Sequence, residues 1–414
     1  MQGALAEKVS DAGFGADAPN VAPPPGNPKF ELFDAMRAVA ALCVFGAHLL
    51  IHTSTPEQHP FFEWAPQLAA QGVAIFFLIS GFLLYRPFLV ARQNGRQLTF
   101  SGYATRRVLR IVPAYWLALF VVVVVLQHND VGHDWWIHAA FGQVYFDATR
   151  AGGIGVAWSL CVEVTFYIVL PLIAWAGFWL GRGRLRGDIA LLAALTMASL
   201  AFRILVAPPA GQGNSWLAHT LPGSFLWFAL GMALAIGSVA LSSQQASVRF
   251  VSQHPNLMWV SALASFTTMY LFISGPGGAT GGRTLEHVAY GVTALFLLLP
   301  AVFGEHAGGA LRRVLGTRAL AWIGVVSYGF YLYHADVFNY IDARPEFEWL
   351  PKSVPLLGAY TFVATLALAA ASYYLVERPI LRLKHRTFPY RRPGKGSRRR
   401  NASPQDVREP QSAQ

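Results

Sequence analysis

The sequence predicts an all-α, polytopic membrane bundle of about ten spans, on two features of composition and one of pattern. Of 414 residues, 54% are hydrophobic and 13% are charged, about half the charged fraction of a soluble globular domain. The mean hydropathy is +0.40. Apolar stretches recur along the chain, each long enough to cross roughly 30 Å of hydrocarbon at about 1.5 Å per residue. The expected spans are 33–52, 72–90, 109–127, 158–180, 188–206, 222–241, 257–274, 285–303, 319–338 and 355–377.

Residues 133–146 (HDWWIHAAFGQVYF) are apolar but contain His133, Asp134 and His138. That mixture suits a short interfacial helix with a Trp anchor better than a span. Residues 1–29, rich in Ala, Gly and Pro, lack the basic start and apolar core of a cleaved signal peptide and are expected to form a disordered tail. Residues 383–414 are basic and poor in apolar side chains, and are expected to be disordered too. A membrane unit over 30–382 remains, with no room for a second globular domain.

The net charge of +11 raises the question of nucleic acid, and the position of the cations answers it. With the N-terminus inside, one set of loops holds Arg92, Arg96, Arg106, Arg107, Arg182, Arg184, Arg186, Arg249, Arg312, Arg313 and Arg318. The opposite set holds only Arg150, Arg283, Arg344 and Lys352. This asymmetry obeys the positive-inside rule, puts both termini in the cytoplasm and leaves no case for a nucleic-acid partner. Attraction of the basic tail to anionic lipid is secondary. Cys43 and Cys161 both fall within spans and read as small buried side chains rather than a disulfide framework.

Ionisable residues inside spans are costly and are the functional candidates, with snorkelling near helix ends as the alternative. They are Arg37, His48, Arg86, Arg110, Glu163, Arg203, His334 and Glu377. Arg37 and His48 lie eleven residues apart, a rotation of about 1100°, so they share one face about 16 Å apart along the axis. His52 adds an i, i+4 histidine pair, but no carboxylate completes a metal site, and none is expected. Ser80-Gly81, midway along the second span, fits close helix packing and lacks the G-x-S-x-G context of a nucleophile.

Arg106, Arg107 and Arg110 cluster at the start of the third span. Topology accounts for one or two of them; together they could grip a phosphorylated ligand. Glu163 lies five residues below Trp158, roughly 8 Å down the fourth span, close to the expected depth of His48. A buried carboxylate needs a partner, and a histidine at matched depth is one. Tyr167 is one turn further on. Tyr331 and His334 share a face of the ninth span, His334 again toward the outer side. Glu377 and Arg378 read as an anchor at the end of the last span, and GPGGATGGR (275–283) reads as a flexible turn.

Taken in order, FELFDAMRAVAAL with Arg37-x10-His48, FFLISGFLL (76–84), RRVLRIVPAYW (106–116), WSLCVEVTFYIVLP (158–171), SYGFYLYH (327–334) and VERP (376–379) resemble the acyltransferase-3 family of multi-spanning membrane O-acyltransferases. The resemblance covers roughly residues 30–380. It implies transfer of an acyl group, often acetyl, from cytoplasmic acyl-CoA to a hydroxyl of a carbohydrate or other small acceptor. It also implies that His48 is catalytic and that Arg107 and Arg110 belong to the donor site. Many relatives add an extracytoplasmic esterase-like domain, and the short segment after the last span makes this chain look like the stand-alone form.

On that basis His48 is expected as general base and Glu163 as the group that orients it. Arg37, Arg86, Arg107 and Arg110 are expected at the donor, and Tyr167, Tyr331 and His334 at the substrate. On physics alone a transporter or flippase of a lipid-linked envelope precursor remains open, because intramembrane charges also line transport paths. The acceptor, the acyl chain length and the oligomeric state are not legible in the sequence.

Overall fold

In the computed structural model, the described residues are 30 and 32–387, except 54–63, 96–98, 128–130, 147–148, 151, 207–215, 275–282, 305–308 and 352. The predicted N-terminal tail, all but the first residues of the predicted C-terminal tail, and the glycine-rich segment before Arg283 lie outside them. Ten long helices follow one another: α1 (Leu32–Thr53), α2 (Ala65–Gln93), α3 (Phe100–Phe120), α4 (Trp158–Gly181), α5 (Leu185–Val206), α6 (Leu221–Ala240), α7 (Pro255–Met269), α8 (Arg283–Phe303), α9 (Arg318–Ala343) and α10 (Val354–Ser372). Short π-helical turns extend α3 through Val125, α7 through Ser274 and α10 through Glu377. A final helix, Arg378–Thr387, runs beyond the expected end of the membrane unit at 382.

Each predicted span falls on one of these helices. Eight are long and apolar enough to cross a membrane on length and composition. The exceptions are α7, only 15 residues long before its π-helical turn, and α9, which carries His334 and Asp336. A helix surrounded by protein need not be apolar, and α9 buries fourteen residues, His334 and Asp336 among them. Outward-facing positions behave in the opposite way. On α5, Ile189, Met197, Ile204 and Leu205 are exposed, as are Trp175 and Trp179 on α4, an apolar surface that water would not tolerate and lipid accepts. The segment predicted to lie at the interface forms only a short helix, Trp135–Ala139, with both tryptophans outward.

Helix directions follow from side-chain contacts. Phe77 stacks on Phe228 and Arg86 Nε donates to Ser238 Oγ, so α2 and α6 run parallel. Thr293 bonds Ser265 while Trp259 reaches the Leu297 carbonyl, which makes α7 and α8 antiparallel. Trp322 Nε1 donates to the Tyr374 hydroxyl, and Gly329 lies against Ala369, so α9 and its successor are antiparallel as well. These are the directions of a chain that reverses from each long helix to the next.

Close approach between helices depends on glycine at several contacts, two of which bear on the site. A Cβ on Gly324 of α9 would collide with the Asp34 carbonyl of α1, and one on Gly81 of α2 with the Phe228 carbonyl of α6. The packing role expected of the Ser80-Gly81 pair therefore belongs to Gly81. The buried side chains form two cores, and α1 and α4 contribute to both, so the seam between the cores runs along these helices.

Where α2 meets α5, Asp188 is fully buried and carries three hydrogen bonds. Tyr85 Oη donates to Oδ1 at 2.5 Å, and Arg92 reaches Oδ2 at 2.5 Å and Oδ1 at 3.3 Å. Arg92→Ala would leave this carboxylate with no cation; breaking a buried pair costs about 3–5 kcal/mol. The variant is expected to lose much of its thermal stability in detergent, read by thermal unfolding of the purified protein, and Arg92→Lys is expected to restore part of it.

Candidate functional site

Two cavities open along the seam. The first, of about 170 Å³, is lined by Arg37 of α1, Ser80 of α2, Arg107 and Arg110 of α3, Glu163 and Tyr167 of α4, and Tyr328 and Tyr331 of α9. The second, of about 520 Å³, is lined by His48 and His52 of α1, Gln67 of α2, Trp158 of α4, Arg203 of α5, Trp227 of α6, His287 and Tyr290 of α8, and Asp336 and Asn339 of α9. The shared face that places Arg37 and His48 on one stripe thus serves two separate chambers, one at each end of α1.

The arginine cavity has more positive charge than its own groups compensate. Arg37 is paired with Asp34 at 2.6 Å one turn before it. Among the described residues no carboxylate pairs with Arg107 or Arg110, and Arg107 Nε is buried without a partner. The one carboxylate lining this cavity, Glu163, is turned to hydroxyls instead. It accepts from Ser80 Oγ and, at 2.5 Å, from Tyr167 Oη. Arg107 is partly buried and Arg110 exposed, and a ligand carrying phosphate would supply the missing partner through charge-assisted hydrogen bonds.

In the histidine cavity, hydrogen bonds set the tautomers. The Val44 carbonyl lies 2.9 Å from His48 Nδ1, and the Tyr331 carbonyl 2.7 Å from His334 Nδ1. A carbonyl only accepts, so both Nδ1 atoms carry the proton in the neutral rings. His334 Nε2 then presents its lone pair to His48 Nδ1, 3.3 Å away, in an edge-on arrangement of the two rings. His48 Nε2 is left with a lone pair on a ring that lines the cavity. Nearby, His52 Nδ1 contacts Asp342 Oδ2 at 2.6 Å and its ring stacks on Phe338. The i, i+4 histidines thus take different partners. Arg203 of α5, partly buried, donates to the carbonyls of Ala218 and Gly223.

Several sequence expectations are relocated by this geometry. Glu163 does not orient His48: its hydrogen bonds keep it in the arginine cavity, and His334 and the Val44 carbonyl hold the imidazole. Matched depth had suggested the pair, but depth is one coordinate and the lateral order of helices supplies the others. Arg86 is separate from the other arginines. It bonds Ser238 and lies 5.3 Å from the Phe30 ring centroid, because six residues along α2 turn it about 120° away from Ser80. His334 stands buried behind His48 rather than facing a substrate. Glu377, read as a terminal anchor, is buried. Tyr167 lines the arginine cavity, and Tyr331 lines both cavities.

Sequence reasoning missed the place of Ser80, Ser159 and Tyr328. Ser159 Oγ and Tyr331 Oη are 2.6 Å apart, and the Tyr328 hydroxyl donates to the Ile111 carbonyl. The only signal for them was that each stands within one of the ordered motifs.

A helical protein of multiple membrane spans, with an arginine-lined cavity and a histidine-lined cavity in one bundle, is the class these features define. The sequence profile of the acyltransferase domain, Acyltransferase-3, matches residues 30–375, and the chain belongs to that family. It is similar to a putative peptidoglycan O-acetyltransferase of Bacillus subtilis, 28% identical over 381 residues that cover 86% of this chain and 56% of the relative. Nodulation protein 10 of Rhizobium leguminosarum is 29% identical over 385 residues, covering 85% and 93%. An O-acetyltransferase of Staphylococcus aureus is 23% identical over 341 residues, covering 77% and 54%. The chain spans about half the length of the Bacillus and Staphylococcus relatives. No solved structure matches.

Removing the Glu163 side chain would orphan the Ser80 and Tyr167 hydroxyls, at about 1–3 kcal/mol for each donor left unsatisfied. Glu163→Ala is therefore expected to lower the thermal unfolding midpoint in detergent by more than Glu163→Gln, which keeps an acceptor in place.

Proposed function

We propose that this protein is a membrane O-acyltransferase that moves an acyl group, most simply acetyl, from cytoplasmic acyl-CoA to a hydroxyl of a carbohydrate acceptor. The observation that carries the reading is the division of labour along α1: uncompensated arginines at one end and a histidine with a fixed tautomer and a cavity-facing lone pair at the other. With the inside orientation that the positive-inside pattern of the loops favours, the arginine cavity faces the cytoplasm, where acyl-CoA is found. Arg107 and Arg110, with Arg37 beside them, bind donor phosphate. The two O-acetyltransferase relatives supply the acceptor class by analogy, one being described as acting on peptidoglycan.

His48 Nε2 takes the proton of the acceptor hydroxyl as its oxygen attacks the thioester carbonyl carbon. One C–O bond forms and one C–S bond breaks. The proton then passes from His48 to the departing thiolate, so the products are an ester and a free thiol with nothing oxidised. His334 holds the ring: its Nε2 lone pair faces His48 Nδ1–H and favours the imidazolium that forms midway. The exchange needs no covalent acyl-enzyme, and no nucleophile motif supports one.

His48→Ala is expected to lower acyl transfer by about 10² to 10⁴, the usual contribution of a positioned general base, with unchanged protein in the membrane fraction. Thiol release from acetyl-CoA in the presence of acceptor measures it, and near-normal turnover would reject the role. A carrier of lipid-linked precursors would release no thiol at all. Arg107→Gln and Arg110→Gln are expected to raise the KM for the donor far more than that for the acceptor; the reverse pattern would move the donor site elsewhere.

A further inference from the structure

The two cavities share two lining residues, Val73 of α2 and Tyr331 of α9. If the donor is held at the arginines and the hydroxyl is activated at His48, the acyl group must be presented between these two side chains. Tyr331 is not free to swing aside. Its hydroxyl donates to the Val156 carbonyl, in the turn just before α4, at 2.9 Å and lies 2.6 Å from Ser159 Oγ in the first turn of α4, and Phe76 packs edge-on against its ring. The wall on the α9 side is therefore fixed by polar bonds and the wall on the α2 side by aliphatic bulk, since Val73 is 5% exposed. An aperture of this kind measures whatever passes through it.

We propose that Val73 and Tyr331 form the acyl aperture and that Val73 sets the length of acyl chain the protein transfers. The inference rests on the acyltransferase reading above and adds to it a residue that selects the donor. The apolar rim of the arginine cavity next to Val73, made by Phe76, Phe77 and Leu160, suits the hydrocarbon of the acyl group and gives it no hydrogen-bond partner. Selection here is steric, and one methylene in such a pocket alters discrimination by about 10- to 200-fold.

The test compares acetyl-, propionyl- and butyryl-CoA as donors for the purified full-length chain, read as thiol release in the presence of acceptor. Val73→Ala is expected to raise the butyryl-to-acetyl ratio of kcat/KM about tenfold or more, and Val73→Ile to lower it by a similar factor. Opposite movement in the two variants supports the aperture. Ratios that stay within about twofold of the parent protein in either folded variant overturn it while leaving the acyltransferase reading intact. Failure of the parent protein to release thiol from any of the three donors overturns that reading and the aperture with it. Should Val73→Ala fail to accumulate, Val73→Ile alone decides, because it adds bulk and leaves no void.

Discussion

The close packing of α1 between α2 and α9 is the constraint on which the rest depends. It is possible because Gly324 has no Cβ to meet the Asp34 carbonyl and Gly72 none to meet the Ala40 carbonyl and Val44. Backbone-to-backbone approach of this kind is the usual device for associating helices where lipid supplies no hydrophobic drive. Its consequence is that one continuous helix carries Arg37 into one chamber and His48 into another. Neither chamber would have these walls if α9 stood a side chain further away, because the His334 lone pair would then miss the His48 proton.

A second theme is the accounting of polar groups in an apolar bundle. Several charges within the bundle are settled internally: the buried Asp188 by Tyr85 and Arg92, the partly buried Arg203 by two carbonyls and the partly buried Glu163 by two hydroxyls. Against that background the unpaired Arg107 and Arg110 stand out. Among the described residues neither has a carboxylate within ion-pair distance, and the phosphate of the proposed donor would supply that partner. The same comparison separates His48 from His52. His52 already has Asp342, whereas His48 keeps a lone pair for use.

In the proposed mechanism, donor binding and acceptor activation are divided by a thin wall rather than gathered at one point. Membrane proteins that connect two faces must prevent a continuous path for water and ions while still bringing reactants together. Val73 and the pinned Tyr331 meet both demands, and they couple the shape of the barrier to the identity of the group that crosses it.

Ten helices, their alternating direction and the stripe joining Arg37 to His48 were legible in the sequence, because span length, loop charge and the 100° step of a helix are local properties. The ordered motifs carried the family as well. Which helix neighbours which was not legible. Glu163 and His48 were matched by depth, yet the lateral arrangement of α2, α4 and α9 gives the carboxylate to Ser80 and Tyr167 and the imidazole to His334. Arg86 was grouped with the other arginines by its charge and its place near a helix end, but the rotation of α2 turns it to Ser238. The sequence by itself determined the elements, their order and the residues able to do chemistry; tertiary structure alone decided their partners, because contacts between spans depend on azimuth and packing distance, which no periodicity along one chain encodes.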